Sequence, residues 1–230
     1  MTSQPNTAAV LFDLDGTLLD SALDFHAIVN ALLQENNHPS VSYDYLKSEV
    51  SEGARAMLCR AFQLPAHDSQ IDALLIELLA RYQIQACDHA TLFTGMDTLL
   101  SQLESTNTPW GIVTNKPRRF SEIILDKLNL TNRCATLICP EDVTHTKPHP
   151  EALLLACQQA RSAPDKSIYI GDHIRDIEAG NRANMFTIGA LYGYIRENED
   201  TDLWNASRLV TEVNQLWPLI KQHVSLATIK

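Results

Sequence analysis

The chain has 230 residues, 45% hydrophobic and 20% charged, with only 8 glycines and 10 prolines. That content is enough for one or two packed domains and excludes a disordered or fibrous chain. Eighteen basic against 28 acidic side chains leave a net charge of −10, which argues against a nucleic-acid surface, since that normally needs clustered Lys and Arg, and, taken alone, also speaks against an anionic substrate.

The N-terminal stretch has no basic region followed by a long apolar run, so neither a signal peptide nor a membrane span is expected. Cys59, Cys87, Cys134, Cys139 and Cys157 are odd in number and lack a C-x-x-C pair. They read as reduced thiols in a cytoplasmic protein, not as a disulfide framework or zinc site.

In chain order, the first predicted strand is 8–12 (AAVLF), short and apolar on both faces. The next seventy or so residues break the pattern and carry no convincing strand. Phe25, Ile28, Val29, Leu32 and Leu33 recur at helical spacing, as do Ile71, Leu74, Leu75, Leu78, Leu79 and Tyr82, and 54–62 reads as a third helix. A crossover connection normally needs one helix, so this segment reads as an inserted helical cap, with one long crossover as the plainer alternative. Strands are then predicted at 110–113, 136–139, 167–170 and 187–191, with helices at 95–105, 118–128, 151–161 and 174–183. A weaker strand at 208–210 and a helix to about His223 finish the chain. Such alternation predicts an α/β fold: a parallel sheet with helices on both faces. The predicted boundaries are a core of 1–20 and 95–230 and a cap of 21–94.

Four strand ends carry chemistry. After the first come Asp13, Leu14, Asp15, Gly16 and Thr17. Residues two apart on an extended chain point the same way, so both carboxylates would enter the crevice where open α/β sheets bind ligands. Gly16 permits a sharp turn and close approach to the backbone. Paired carboxylates repel unless one is protonated or a cation lies between them, and a hard oxygen-seeking cation such as Mg²⁺ resolves the conflict. The second strand ends in Thr114 and Asn115, a hydroxyl and an amide suited to phosphate oxygens. Lys147, before Pro148, offers an ammonium to offset negative charge. Asp172, with Asp176 one helical turn on, completes the set. Each has an ordinary alternative alone: a turn, a helix cap, a surface lysine, an N-cap. What joins them is that each follows a different strand at one end of one sheet.

The four segments in this order resemble the motifs of the haloacid dehalogenase-like hydrolases, and the resemblance covers nearly the whole chain. It implies a Rossmann-like core with a helical cap inserted after the first strand. It implies Mg²⁺ held by Asp13, the Asp15 backbone carbonyl and Asp172, with Asp176, Gly16 and Thr17 in support. It also implies Asp13 as nucleophile, Asp15 as general acid and base, and Thr114, Asn115 and Lys147 on the transferring phosphoryl group. An acid at Asp15 suits an alcohol leaving group, so phosphate chemistry is expected over dehalogenation. Ion-pumping relatives need membrane helices.

A cap closing on the crevice would select the substrate. Gly53 and Arg55, in Ser51-Glu52-Gly53-Ala54-Arg55, are the candidate cap residues, with Arg55 suited to a carboxylate or sugar hydroxyl. The same stretch reads equally as a helix start capped by Ser51. Within the family the chain is similar to phosphoglycolate-phosphatase-like enzymes, and among them to N-acetylmuramic acid 6-phosphate phosphatases of peptidoglycan recycling. Gly53-Ala54-Arg55-Ala56-Met57, Trp110 to Pro117, Leu137-Ile138-Cys139-Pro140 and Tyr192-Gly193-Tyr194-Ile195 carry that similarity. The expected partner is a small phosphorylated metabolite, with phosphoglycolate hydrolysis and sugar phosphomutation as alternatives; oligomeric state is left open.

Overall fold

The computed structural model describes residues 7–229, with side chains through Val224. Residues 1–6 and 230, inside the predicted core boundaries, lie outside the described residues.

The elements follow as β1 (Val10–Phe12), β2 (Leu19–Asp20), α1 (Ala22–Glu35), α2 (Tyr43–Lys47), α3 (Ala54–Phe62), α4 (Ser69–Gln85), β3 (Thr91–Leu92), α5 (Met96–Ser105), β4 (Trp110–Val113), α6 (Arg118–Lys127), β5 (Thr136–Ile138), α7 (Glu151–Gln159), β6 (Ile168–Gly171), α8 (Ile174–Arg182), β7 (Phe186–Ala190), β8 (Arg208–Val210) and α9 (Leu216–Ile229). Six strands form one sheet in the order β5-β4-β1-β6-β7-β8, and every pairing is parallel. The expected α/β core is therefore present, with β1 in the centre. Phe12 is level with Ile112 of β4 and with Ile170 of β6, so these three strands end together. The strands that follow β1 lie first on one side of it (β4, β5) and then on the other (β6 to β8), and the crevice at such a switch point is where ligands bind.

Alternation along the strands divides the interior. Val10, Phe12, Ile112, Ile168 and Ile170 join the larger buried cluster, which continues into α1, α3 and α4. Leu11, Val113, Ile138 and Tyr169 face a second cluster closed by α7 and α8. Both faces are apolar because both are covered by helices.

The helical segment keeps the predicted periodicity but splits one stripe. Ile71, Leu74, Leu78 and Tyr82 of α4 are buried, and Tyr82 stacks on Phe25 of α1 at 4.2 Å and 10°. Leu75 and Leu79 instead line a cavity. Asp24, also buried, accepts hydrogen bonds from the backbone N–H groups of Cys87, His89 and Ala90, tying α1 to the turn after α4.

Two expectations are corrected, and one short helix is added. The segment does contain a strand: β3 pairs antiparallel with β2, where the chain leaves and re-enters the core. Two residues are too few to show alternation. The five-residue helix α2 is likewise too short for a periodic signal. The last helix extends past His223 to Ile229, in a stretch that contains no glycine or proline to stop it.

Candidate active site

The carboxyl ends of β1, β4 and β6 deliver the predicted residues to one place. Asp13 donates its backbone N–H to Ile170 O at 2.8 Å, and Thr114 its own to Ile138 O at 3.0 Å, so each is held in its sheet as the strand ends. The Lys147 ammonium, fully buried, reaches Asp13 Oδ1 at 2.9 Å, Asp176 Oδ1 at 2.7 Å and Tyr169 Oη at 2.9 Å. The Lys147–Pro148 peptide bond is cis. Asn115 donates to the Lys147 carbonyl at 3.1 Å, joining the end of β4 to the lysine loop.

Asp172 is buried and accepts from Thr17 Oγ1 at 2.9 Å and from the Tyr194 N–H at 3.1 Å. Gly16, at φ +80°, lies against it: a Cβ there would sit 2.1 Å from Asp172 Oδ2. The helix after β6 does not begin at Asp172. His173 is the N-cap of α8, and Asp176 Oδ2 accepts the His173 N–H at 3.1 Å. Asp176 still joins the site, but its two oxygens already hold Lys147 and that N–H. Support, not free ligation, is the role its bonding suits.

Carboxylate oxygens of Asp13, Asp172 and Asp176 converge within 4.8 Å of one another. Burial pushes Asp13 up to about 6 against the pull of Lys147, and Asp176 and Asp15 push the same way. Asp172 is held well above the usual carboxylate range by burial and by Asp13 and Asp176. One buried ammonium thus leaves this anionic cluster short of positive charge, and an oxygen-rich anionic donor set fits a hard divalent cation.

Asp15 points elsewhere. Its carboxylate takes the Lys116 ammonium at 2.9 and 3.2 Å. Lys116 is buried and lies over the rings of Phe25 and Tyr82, 5.0 and 4.5 Å from their centroids. Sequence reasoning gave Lys116 no role, because its partners lie far away along the chain.

A cavity of about 400 Å³ opens over Asp13, Asp15, Thr114, Asn115 and Lys147. Its far wall, from the helical segment and α6, includes Phe25, Val50, Met57, Leu75, Leu79 and Phe120. Gly53 and Arg55 line it too. Gly53 (φ +94°), and not Ser51, is the N-cap of α3; a Cβ on it would meet nothing within 4 Å. Ser51 sits in a 3-10 turn (Val50–Glu52) and points its hydroxyl at Asp172 Oδ2, 3.3 Å away. The Arg55 guanidinium is occupied, with Asp72 at 2.7 Å and the Ala66 carbonyl at 2.8 Å. Tyr192 and Tyr194 are structural: their hydroxyls bond Thr17 O at 3.1 Å and Asp20 Oδ1 at 2.8 Å.

No helix among the described residues is long and apolar enough to cross a membrane, and all five cysteines are unpaired.

Comparison with known proteins agrees with this geometry. Residues 10–190 match the family model described as haloacid dehalogenase-like hydrolase. An N-acetylmuramic acid 6-phosphate phosphatase from Pseudomonas putida is 43% identical over 212 residues, 92% of this chain and 95% of that protein. A phosphoglycolate phosphatase from Xanthomonas campestris pv. campestris is 44% identical over 211 residues, 91% and 94% of the two chains. In fold the chain is similar to the crystal structure of a predicted phosphoglycolate phosphatase from Haemophilus somnus, at TM-score 0.80 and 21% identity, covering 93% of this chain and 98% of that one. The expected resemblance holds, and the chain belongs to the haloacid dehalogenase-like hydrolase family, as one of its phosphatases.

Proposed function

We propose that the protein hydrolyses a small sugar phosphate, N-acetylmuramic acid 6-phosphate, through an aspartyl-phosphate on Asp13, with Mg²⁺ as cofactor. The observation that carries this reading is the pairing of Asp13 with buried Lys147 at 2.9 Å in the cavity lining, with Asp172 beside Asp13.

The donor set fits Mg²⁺, held by Asp13, the Asp15 backbone carbonyl and Asp172. Bound there, it would offset charge on the phosphoryl oxygens. Asp13 attacks phosphorus, and the P–O bond to the sugar breaks. Asp15 gives its proton to the departing alcohol oxygen. A water then attacks phosphorus, passes a proton to Asp15, and releases inorganic phosphate as Asp13 is restored. Thr114, Asn115 and Lys147 hold the phosphoryl group, Lys147 by charge and Thr114 by its hydroxyl. Asp176 holds Lys147. Gly16 and Thr17 hold Asp172.

Residues 21–94 act as a cap on the core of 1–20 and 95–230, and Gly53 and Arg55 present its loop to the cavity. The substrate reading draws on the similar Pseudomonas enzyme and on the cavity. A space of about 400 Å³ with an apolar wall is in the range of ordinary ligand pockets. It suits a sugar bearing acetyl and lactyl groups better than a two-carbon acid. The unpaired cysteines and the absence of a long apolar helix are compatible with a cytoplasmic site of action.

Steady-state kinetics on N-acetylmuramic acid 6-phosphate, phosphoglycolate and common hexose phosphates test the reading. The first should have the highest kcat/KM, and chelation should abolish turnover until Mg²⁺ is restored. Superior kcat/KM for phosphoglycolate would overturn the substrate, and transfer to a second sugar hydroxyl without phosphate release would favour a mutase.

A further inference from the structure

Five cations line the cavity: Arg55, Lys116, Arg119, Lys147 and Arg175. Four have carboxylate partners. Arg55 holds Asp72, Lys116 holds Asp15, Lys147 holds Asp13 and Asp176, and Arg175 reaches Glu52. Arg119 makes no ion pair with any described residue. The acidic residue three positions on in its own helix, Glu122, is taken by Arg118. The lining carboxylates Asp13, Asp15 and Glu52 are likewise matched already. In a chain of net charge −10, the charge left uncompensated on this wall, among the described residues, is therefore positive.

Arg119 is also oriented. It occupies the first turn of α6, directly beyond the loop that carries Thr114 and Asn115. Its guanidinium carbon lies 4.5 Å from the centroid of the Phe120 ring. Phe120 is buried and braced edge-on by Tyr82 at 5.4 Å. A guanidinium laid on a fixed ring keeps its edge N–H groups free, in the fork geometry that matches a carboxylate.

We propose that Arg119 forms a second anion subsite, which binds a carboxylate that the substrate carries at a distance from its phosphate. The inference rests on the phosphomonoesterase reading above and deepens it. The muramic sugar carries such a carboxylate on its lactyl ether, and N-acetylglucosamine 6-phosphate is the same sugar without it. Phosphoglycolate carries one too, and 2-hydroxyethyl phosphate replaces it by an alcohol.

The test compares the Mg²⁺-loaded wild type with Arg119→Gln and Arg119→Lys on both pairs. Arg119 is exposed, so Arg119→Gln should raise KM roughly three- to fivefold for the carboxylate-bearing member of the preferred pair. A contact remote from phosphorus should leave kcat within about twofold. The carboxylate-free member should be unaffected, and Arg119→Lys should recover part of the loss. Equal loss on both members of the pair, or no loss on either, overturns the subsite. Wild-type preference for the muramic sugar retained in Arg119→Gln sinks the subsite and leaves the sugar reading standing. Preference for phosphoglycolate that depends on Arg119 does the reverse.

Discussion

The Lys116 ammonium lies 2.9 Å from Asp15 Oδ1, with the rings of Phe25 and Tyr82 packed over it. The proposed acid and base is thus aimed by a lysine packed against side chains of α1 and α4. An ordinary surface ion pair is worth little, but this lysine is buried, and its removal leaves Asp15 without a direction. A misaimed proton donor costs about 100-fold in rate. Lys116→Met should lower kcat by about that factor with a smaller change in KM, and Lys116→Arg should retain more. A kcat near wild type for Lys116→Met in steady-state assays would show that Asp15 is positioned without it.

Gly16 answers to two constraints at once, a φ of +80° and an added Cβ 2.1 Å from Asp172 Oδ2. Gly16→Ala should displace Asp172, costing about 1–3 kcal/mol in backbone strain and about 100-fold in kcat/KM. Mg²⁺ titration of activity should show weaker apparent affinity. Unchanged metal dependence would mean that the turn relaxes without moving Asp172.

Asp24 is a purely structural counterpart. Its carboxylate serves three backbone N–H groups, and Asp24→Ala would leave them unmatched. The expected cost is about 2–4 kcal/mol by urea unfolding. Folded Asp24→Ala should keep kcat near wild type, since the bonds lie at the base of α1 and not at phosphorus.

The elevated Asp13 carboxyl makes stability depend on pH. Burial raises it from 3.8 to about 6, so between about pH 4 and 6 the native state keeps a proton that the unfolded chain has released. Stability from this group is therefore full below pH 4 and falls as pH rises through 6, by up to about 3 kcal/mol. In chelator, wild type should lose stability relative to Asp13→Asn between pH 4 and 7. Parallel unfolding curves across that window would contradict the assignment.

Much of the site was legible from strand ends alone. Asp13, Thr114 and Asp172 each stand one residue past a buried apolar run, and parallel pairing brings such ends level. What stayed hidden depends on partners that sequence spacing does not reveal. Lys116 reads as one more residue after Thr114 and Asn115 until Asp15, 101 residues away, is placed beside it. Arg55 reads as free until Asp72 of α4 takes it. Asp24 gives no local sign that a turn some sixty residues later needs its oxygens. The strand Thr91–Leu92 is defined by its pairing with Leu19–Asp20, not by its own two side chains.

Covalent capture of the intermediate tests the central claim most directly. Wild-type enzyme is mixed with saturating substrate and Mg²⁺, quenched, and reduced with borohydride, which converts an acyl-phosphate of aspartate to homoserine. Peptide mass spectrometry should find homoserine at position 13, and Asp13→Asn should show neither that product nor turnover. An active wild type with Asp13 unmodified, or homoserine at another aspartate, would contradict the account.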